Sequence, residues 1–143
     1  MTSSRKRAPT AARPEAFIRI RADHQAELAE DYVELIAELI EENGEARGSD
    51  VARRLGVSNA TVVKTLKRLQ DDDLIAQEPY RAIFLTGSGR KLAAEGRRRH
   101  RVVEDFLLAL GISAATARID SEGIEHHVSE ETLAAMQRFL KRV

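Results

Sequence analysis

Apolar positions recur at helical spacing from about Asp23 to Asn43, where Leu28, Tyr32, Leu35, Ile36, Leu39 and Ile40 share one face. Asn43-Gly44 reads as a helix stop. Ser49 can cap a short helix over 50–55 that ends at Gly56, and Ser58 can cap a second one reaching about Gln70. Val51, Ala52 and Leu55 of the first are placed to meet Val57, Val62, Val63, Leu66 and Leu69, so the pair predicts a helix-turn-helix. Two short strand-like runs, 74–76 and 82–86, flank a turn over 77–81 and predict a β-hairpin. A hairpin directly after a recognition helix is the wing of a winged helix-turn-helix. Thr86-Gly87-Ser88-Gly89 then punctuates the chain before a long helix from about Arg90 to Leu110, which Gly111 ends. Another helix runs from Ser113 to about His127, and Ser129 caps a last one with Leu133, Met136, Phe139 and Leu140 as its stripe. The pattern predicts a mainly α fold with a small β-hairpin wing. It divides into a disordered basic arm over 1–22, a winged helix-turn-helix DNA-binding domain over 23–92 and a helical domain over 93–143.

Composition narrows the function classes. The 143 residues are 43% hydrophobic and 32% charged, enough for a packed core, and no run of apolar residues is long enough to span a bilayer. Absence of an apolar leader makes the cytosol the expected compartment. Zero cysteines exclude a disulfide framework, thiolate catalysis and Cys-based zinc or iron–sulfur sites. The net charge of zero hides a segregation: residues 1–21 carry +5, 22–45 carry −9, 47–101 carry +7 and 102–143 carry −3. A basic middle between acidic segments fits a chain that meets a polyanion and holds cations; ordinary surface charge in blocks is the plainer reading.

The second helix of the helix-turn-helix opens with Ser58-Asn59-Ala60-Thr61, small and hydrogen-bonding residues suited to base edges. Lys64, Lys67 and Arg68 follow with reach to phosphates. Arg81, near the hairpin tip, is placed for a phosphate or a minor groove, or is a plain surface arginine. Ser58, Asn59, Thr61, Lys64 and Arg81 are therefore the candidate DNA contacts. The late helices carry more apolar surface than so short a chain covers alone, which points to a homodimer.

Two clusters carry candidate coordination chemistry. Glu27, Asp31, Glu34, Glu38 and Glu41 step by three and four along the first helix as one acidic stripe. Like charges so spaced destabilise a helix unless something offsets them or they face water. Glu122, Glu125 and His126 fall at i, i+3 and i+4, so a helix would present them together. Oxygen and nitrogen donors without sulfur suit harder divalent ions such as Mn(II) or Fe(II), although acids and histidines at these intervals also occur on solvated faces. His100 in isolation reads as a surface or capping histidine, and His24 and His127 have no assigned role.

An acidic first helix, a winged helix, a long helix with one histidine and then Ser121-Glu122-Gly123-Ile124-Glu125-His126-His127 resembles the manganese-responsive repressors of the diphtheria-toxin-repressor superfamily. The resemblance covers roughly residues 25–143, and its specific pieces are Glu30-Asp31-Tyr32-Val33-Glu34, Arg99-His100 and Glu122 to His127. It implies metal ligands at Asp31, Glu34, His100, Glu122, Glu125 and His126, and makes 93–143 a helical dimerisation and metal-binding domain. It implies Mn(II) as cofactor, two ions per subunit, whose charge would match the four carboxylates. Iron-responsive relatives place a Met and a Cys where this chain has Asp31 and Glu122, so carboxylates there favour manganese over iron. Those relatives often add a C-terminal SH3-like domain, for which the chain leaves no room after Val143. The expected function is a manganese-dependent DNA-binding transcriptional repressor of manganese-uptake genes, in which metal fixes a homodimer in an operator-binding geometry. The expected partners are double-stranded operator DNA and a second copy, with no membrane, no organic cofactor and no enzymatic activity. Alternatives are an iron-responsive repressor of the same superfamily and a metal-independent winged-helix regulator sensing a small organic ligand. A metallohydrolase would need an open coordination position and a substrate cleft.

Overall fold

The computed structural model describes residues 14–78 and 81–143. Its elements are α1 (Pro14–Asn43), α2 (Gly48–Leu55), α3 (Asn59–Asp71), β1 (Ile75–Ala76), β2 (Phe84–Leu85), α4 (Gly87–Ala109), α5 (Ala114–Ile124) and α6 (Glu130–Leu140). The helix expected from Asp23 begins nine residues earlier, so the disordered arm expected over 1–22 is corrected from Pro14 onward; residues 1–13 lie outside the described residues. Proline fits a first helical position, because its fixed φ is helical and its missing N–H has no intrahelical acceptor there. No glycine or proline interrupts the chain from Glu15 to Asn43, so one helix of 30 residues results.

Polar groups set several other boundaries. Ser58 and Ser129 cap α3 and α6 as expected, accepting hydrogen bonds from Thr61 and Thr132 N–H, and Ser113, expected only to begin α5, caps it by accepting from Thr116 N–H. Ser49 does not cap α2: the helix starts at Gly48, and the capping position falls on Arg47, which makes no side-chain cap. The long helix starts at Gly87 rather than Arg90 because Thr86 Oγ1 accepts from Gly89 N–H. Gly56 closes α2 with φ +67°, the left-handed conformation that turns the chain into α3.

One core lies under the helix-turn-helix, where Tyr32, Leu35, Ile36 and Leu39 of α1 meet Val51, Ala52, Val62, Leu66, Leu69, Ile75 and Ile83. Val63 was expected in that core but is 66% exposed, and Leu55 and Val57 are also exposed. Val63 stands about 100° from Val62 around α3, and only the face through Val62, Leu66 and Leu69 turns inward. β1 and β2 pair antiparallel, Ile75 with Leu85 and Ala76 with Phe84, and Ala46 bridges Ile83 to fasten the wing beneath α1. A second core gathers Val102 and Val103 of α4, Ala117 and Ser121 of α5 and Leu133 of α6. Phe106 and Phe139 meet edge to face at 5.4 Å beside it. α4 runs through both halves, packing on α1 and β2 and then on α5 and α6.

Candidate metal centre and nucleic-acid face

The acidic stripe of α1 faces α4 and the end of α5 across a cavity of about 940 Å³. Asp31, Glu34, His100, Glu122 and Glu125 all line it, together with Glu27, Glu38 and Glu104 and with Arg97, Arg101 and Arg118. His126 borders it: Nε2 lies 3.1 Å from Asp31 Oδ1 and 3.5 Å from Glu125 Oε1. Glu125 is 4% exposed, and its Oε2 lies 2.7 Å from His100 Nδ1. Residues from three helices distant in sequence are thus brought around one space.

α5 ends at Ile124, so the one-helix presentation of Glu122, Glu125 and His126 needs correction. Glu125 keeps helical dihedrals as the C-cap, and His126 sits in the turn beyond it. Both side chains point inward, whereas Glu122 is exposed at the cavity wall. Arg99 on α4 holds this turn in place. Its guanidinium donates 2.9 Å to the Glu125 carbonyl, to the Val128 carbonyl, and 3.1 Å to Glu130 Oε1.

Carboxylates crowded in a partly dry space resist ionisation. Burial pushes the Glu34 carboxyl up to about 7, with the charges of Glu125 and Asp31 adding to it. Asp31 and Glu125 are raised first by burial, against the lowering pull of the neighbouring histidines. Burial alone would lower the His126 imidazole, but the Glu30 hydrogen bond and the charges of Asp31 and Glu125 outweigh it, and the net shift is upward. Glu34 Oε1 is buried without a hydrogen-bond partner among the described residues. A crowded carboxylate set with an orphaned oxygen and two imidazoles is the donor chemistry of a hard divalent cation. Among the described residues, Glu27, Asp31 and His126 bring donor atoms within 4.8 Å of one another, and that set fits such an ion.

Sequence reasoning gave no role to three side chains that the fold brings to this site. Glu104 Oε2 lies 2.9 Å from His100 Nε2, a pairing that the i, i+4 spacing on one helix could have signalled. Glu30 Oε2 lies 2.5 Å from His126 Nδ1, a contact 96 residues apart in sequence with no local signature. Glu27, within the stripe, can bring a carboxylate oxygen within 4.8 Å of donor atoms of Asp31 and His126. Its Oε2 also lies 3.6 Å from His127 Nε2.

On the helix-turn-helix and its wing, Ser58, Asn59, Thr61, Lys64 and Arg81 are all exposed. Asn59 and Arg81 line a groove between α3 and the wing, together with Lys67, Val63 and Gln77. Ser58 Oγ lies 2.9 Å from Thr61 Oγ1, so these two hydroxyls engage each other at the start of α3. Arg81 Nε is 3.3 Å from Glu78 Oε2, an exposed pair that yields readily to another anion.

A winged helix-turn-helix joined by one continuous helix to a helical half, with an acid–imidazole cavity between them, defines a metal-binding DNA-binding regulator. Comparison with known proteins agrees. Residues 25–83 match the family domain described as "Iron dependent repressor, N-terminal DNA binding domain", and residues 86–143 match "Iron dependent repressor, metal binding and dimerisation domain". The "Transcriptional regulator MntR" of Escherichia coli O6:H1 is 56% identical over 128 residues, 90% of this chain and 83% of that protein. The "HTH-type transcriptional regulator MntR" of Geobacillus kaustophilus is 44% identical over 100 residues, 70% of this chain and 71% of that protein. Among solved structures, a manganese-dependent transcriptional repressor in complex with manganese matches with TM-score 0.71 at 31% identity, covering 79% of this chain and 52% of that one. The manganese regulator SloR matches with TM-score 0.69 at 31% identity, covering 79% of this chain and 53% of that one. The chain spans about half the length of these solved structures. It belongs to the iron-dependent repressor family, whose members are transcriptional regulators rather than enzymes.

Proposed function

We propose that this chain is a metal-dependent DNA-binding transcriptional repressor that responds to Mn(II), two ions per subunit, and acts in the cytoplasm as a homodimer on genes for manganese uptake. The single observation that carries the reading is the cavity in which Asp31 and Glu34 of α1 face His100 of α4 and Glu125 at the end of α5. With Glu122 and His126 these are the residues that would hold the ions. A bound divalent cation would add positive charge to a cavity whose seven carboxylates outnumber its three arginines, Arg97, Arg101 and Arg118. Carboxylates at 31 and 122, in place of sulfur donors, favour manganese over iron.

The coupling to DNA follows from α1. The residues that face the cavity share a helix with Tyr32, Leu35, Ile36 and Leu39, which form the floor on which α2 and α3 pack. Unneutralised, Asp31 and Glu34 repel Glu125 and loosen the grip of α1 on α4. Once neutralised, they tie the reading half to the dimer half and set the spacing of the two α3 helices. In a dimer these must enter major grooves roughly 34 Å apart or a multiple of it. Ser58, Asn59, Thr61 and Lys64 meet the operator from α3 and Arg81 from the wing. Val63 adds an exposed apolar side chain on α3 suited to a thymine methyl group. The second copy covers apolar side chains left exposed on the helical half, among them Leu108, Leu110, Ile119 and Phe139.

The test is DNA affinity with Mn(II), Fe(II), Zn(II) or chelator at one salt concentration, on a duplex selected from a random pool by the Mn(II)-loaded protein. Mn(II) is expected to tighten binding about 5- to 150-fold over chelator. Affinity unchanged by chelator would make the chain a metal-independent regulator. The double substitution Asp31→Met with Glu122→Cys is expected to move the ranking toward Fe(II) or Zn(II), and an unchanged ranking would remove the selectivity argument.

A further inference from the structure

We propose that Glu30 is a positioning residue for the metal site, its carboxylate fixing the His126 imidazole so that Nε2 is offered to Asp31 and Glu125. The inference rests on the metal reading above. Glu30 Oε2 lies 2.5 Å from Nδ1, while Nε2 of the same ring lies 3.1 Å from Asp31 Oδ1 and 3.5 Å from Glu125 Oε1. The His126 side chain is 4% exposed, so bulk water does not compete for Nδ1.

An imidazole that binds a cation must present one nitrogen without its proton, and the other nitrogen keeps an N–H that needs an acceptor. A carboxylate at Nδ1 selects the Nδ1–H tautomer and leaves the Nε2 lone pair toward the cavity. It also raises the basicity of that lone pair. Glu30 is not among the side chains that line the cavity, whereas its neighbour Asp31 is. Adjacent residues on a helix stand about 100° apart. The two carboxylates therefore grip one ring from opposite nitrogens, Asp31 on the cavity side and Glu30 behind it. Among the described residues, the two carboxylates beside His100, Glu104 and Glu125, both line the cavity, so neither stands behind its ring as Glu30 does behind His126.

The experiment is Mn(II) titration calorimetry on the full chain and its Glu30→Ala and Glu30→Gln variants. Alongside it, nitrogen NMR reads the His126 ring in Cd(II)-loaded protein, a diamagnetic ion of the same charge. Glu30→Ala is expected to weaken Mn(II) binding by about 10- to 100-fold with no change in the number of ions bound. Glu30→Gln keeps an oxygen that accepts from Nδ1–H and is expected to recover most of that loss. The ring is expected to carry its proton on Nδ1 in the unsubstituted chain and the Gln variant. Unchanged affinity in Glu30→Ala, equal loss in both variants, or an Nε2–H ring in the loaded unsubstituted chain would each overturn the inference. A lost ion in Glu30→Ala would make Glu30 a ligand and overturn it as well. Failure of the unsubstituted chain to bind Mn(II) would sink the metal reading itself, and this inference with it.

Discussion

Glu34 and Gly96 meet where α1 crosses α4: a Cβ built on Gly96 would lie 2.7 Å from the Glu34 carboxyl carbon and closer still to Oε1. Only a residue without a side chain leaves the carboxylate in this position. Gly96→Ala is therefore expected to displace Glu34 and weaken Mn(II) binding by more than tenfold. The carboxylate can swing aside, so the stability cost should fall near the low end of the about 1–3 kcal/mol typical of overpacking. Calorimetric titration and urea unfolding measured side by side check both halves. A large stability loss with intact metal affinity would contradict this account.

Glu125 joins both imidazoles from the floor of the cavity, 2.7 Å from His100 and 3.5 Å from His126. Glu125→Ala is expected to abolish Mn(II)-dependent DNA binding and leave a folded dimer, because it removes an acid from a crowd of acids. The Glu34 carboxyl should move back down toward its ordinary range, since the Glu125 charge is the second cause of its elevation. DNA-binding titrations, sedimentation and carboxyl NMR report the three outcomes. Full metal response in this variant would refute its assignment.

The metal-free protein is expected to lose stability as pH rises from about 4.5 to above 7 on account of Glu34. A carboxyl raised in the folded state binds its proton more tightly there than in the unfolded chain. The folded state is therefore favoured while the proton is kept and penalised once it is lost. Asp31 and Glu125 are raised too, and the raised His126 holds its proton longer in the folded state, so all four act in one direction. Thermal unfolding across this range should show the slope. Glu34→Gln should reduce it, leaving the part due to Asp31, Glu125 and His126, and saturating Mn(II) should reverse it.

Ser58 serves the helix as well as the proposed DNA face. Its Oγ accepts from Thr61 N–H at 3.1 Å, so Ser58→Ala is expected to cost about 1 kcal/mol of stability. Lys64→Ala, exposed on the same helix, should leave stability unchanged and weaken DNA binding across sequences. It should also reduce the slope of log affinity against log salt by about one. Equilibrium unfolding and a salt series of binding isotherms separate the two effects. A lost cap without lost stability, or an unchanged salt slope, would count against the respective role.

Much of the fold was legible from residue order. The inner face of α1, the Val62, Leu66 and Leu69 side of α3, the turn at Gly56, the hairpin and the caps at Ser58 and Ser129 all depend on interactions within a few residues, whereas Val63, expected in the core, is exposed. Where the reading missed, a neighbouring group made the difference. Thr86 captured Gly89 N–H and drew α4 back to Gly87, and α1 continued to Pro14 because nothing between them breaks a helix. The candidate ligand types were legible as well, but from the helical spacing alone the acidic stripe remained compatible with a solvated face.

Sequence by itself determined which side chains can donate oxygen or nitrogen, and that a basic recognition helix follows an acidic one, because charge and donor type belong to each residue wherever it sits. Tertiary structure decided that Glu30 stands behind His126, that Glu104 flanks His100, that Glu122 stays at the rim and that Gly96 opens the place for Glu34. Those outcomes turn on how α1 crosses α4 and on where α5 stops. Crossings between segments this far apart are set by the packing of two cores, which no local periodicity encodes.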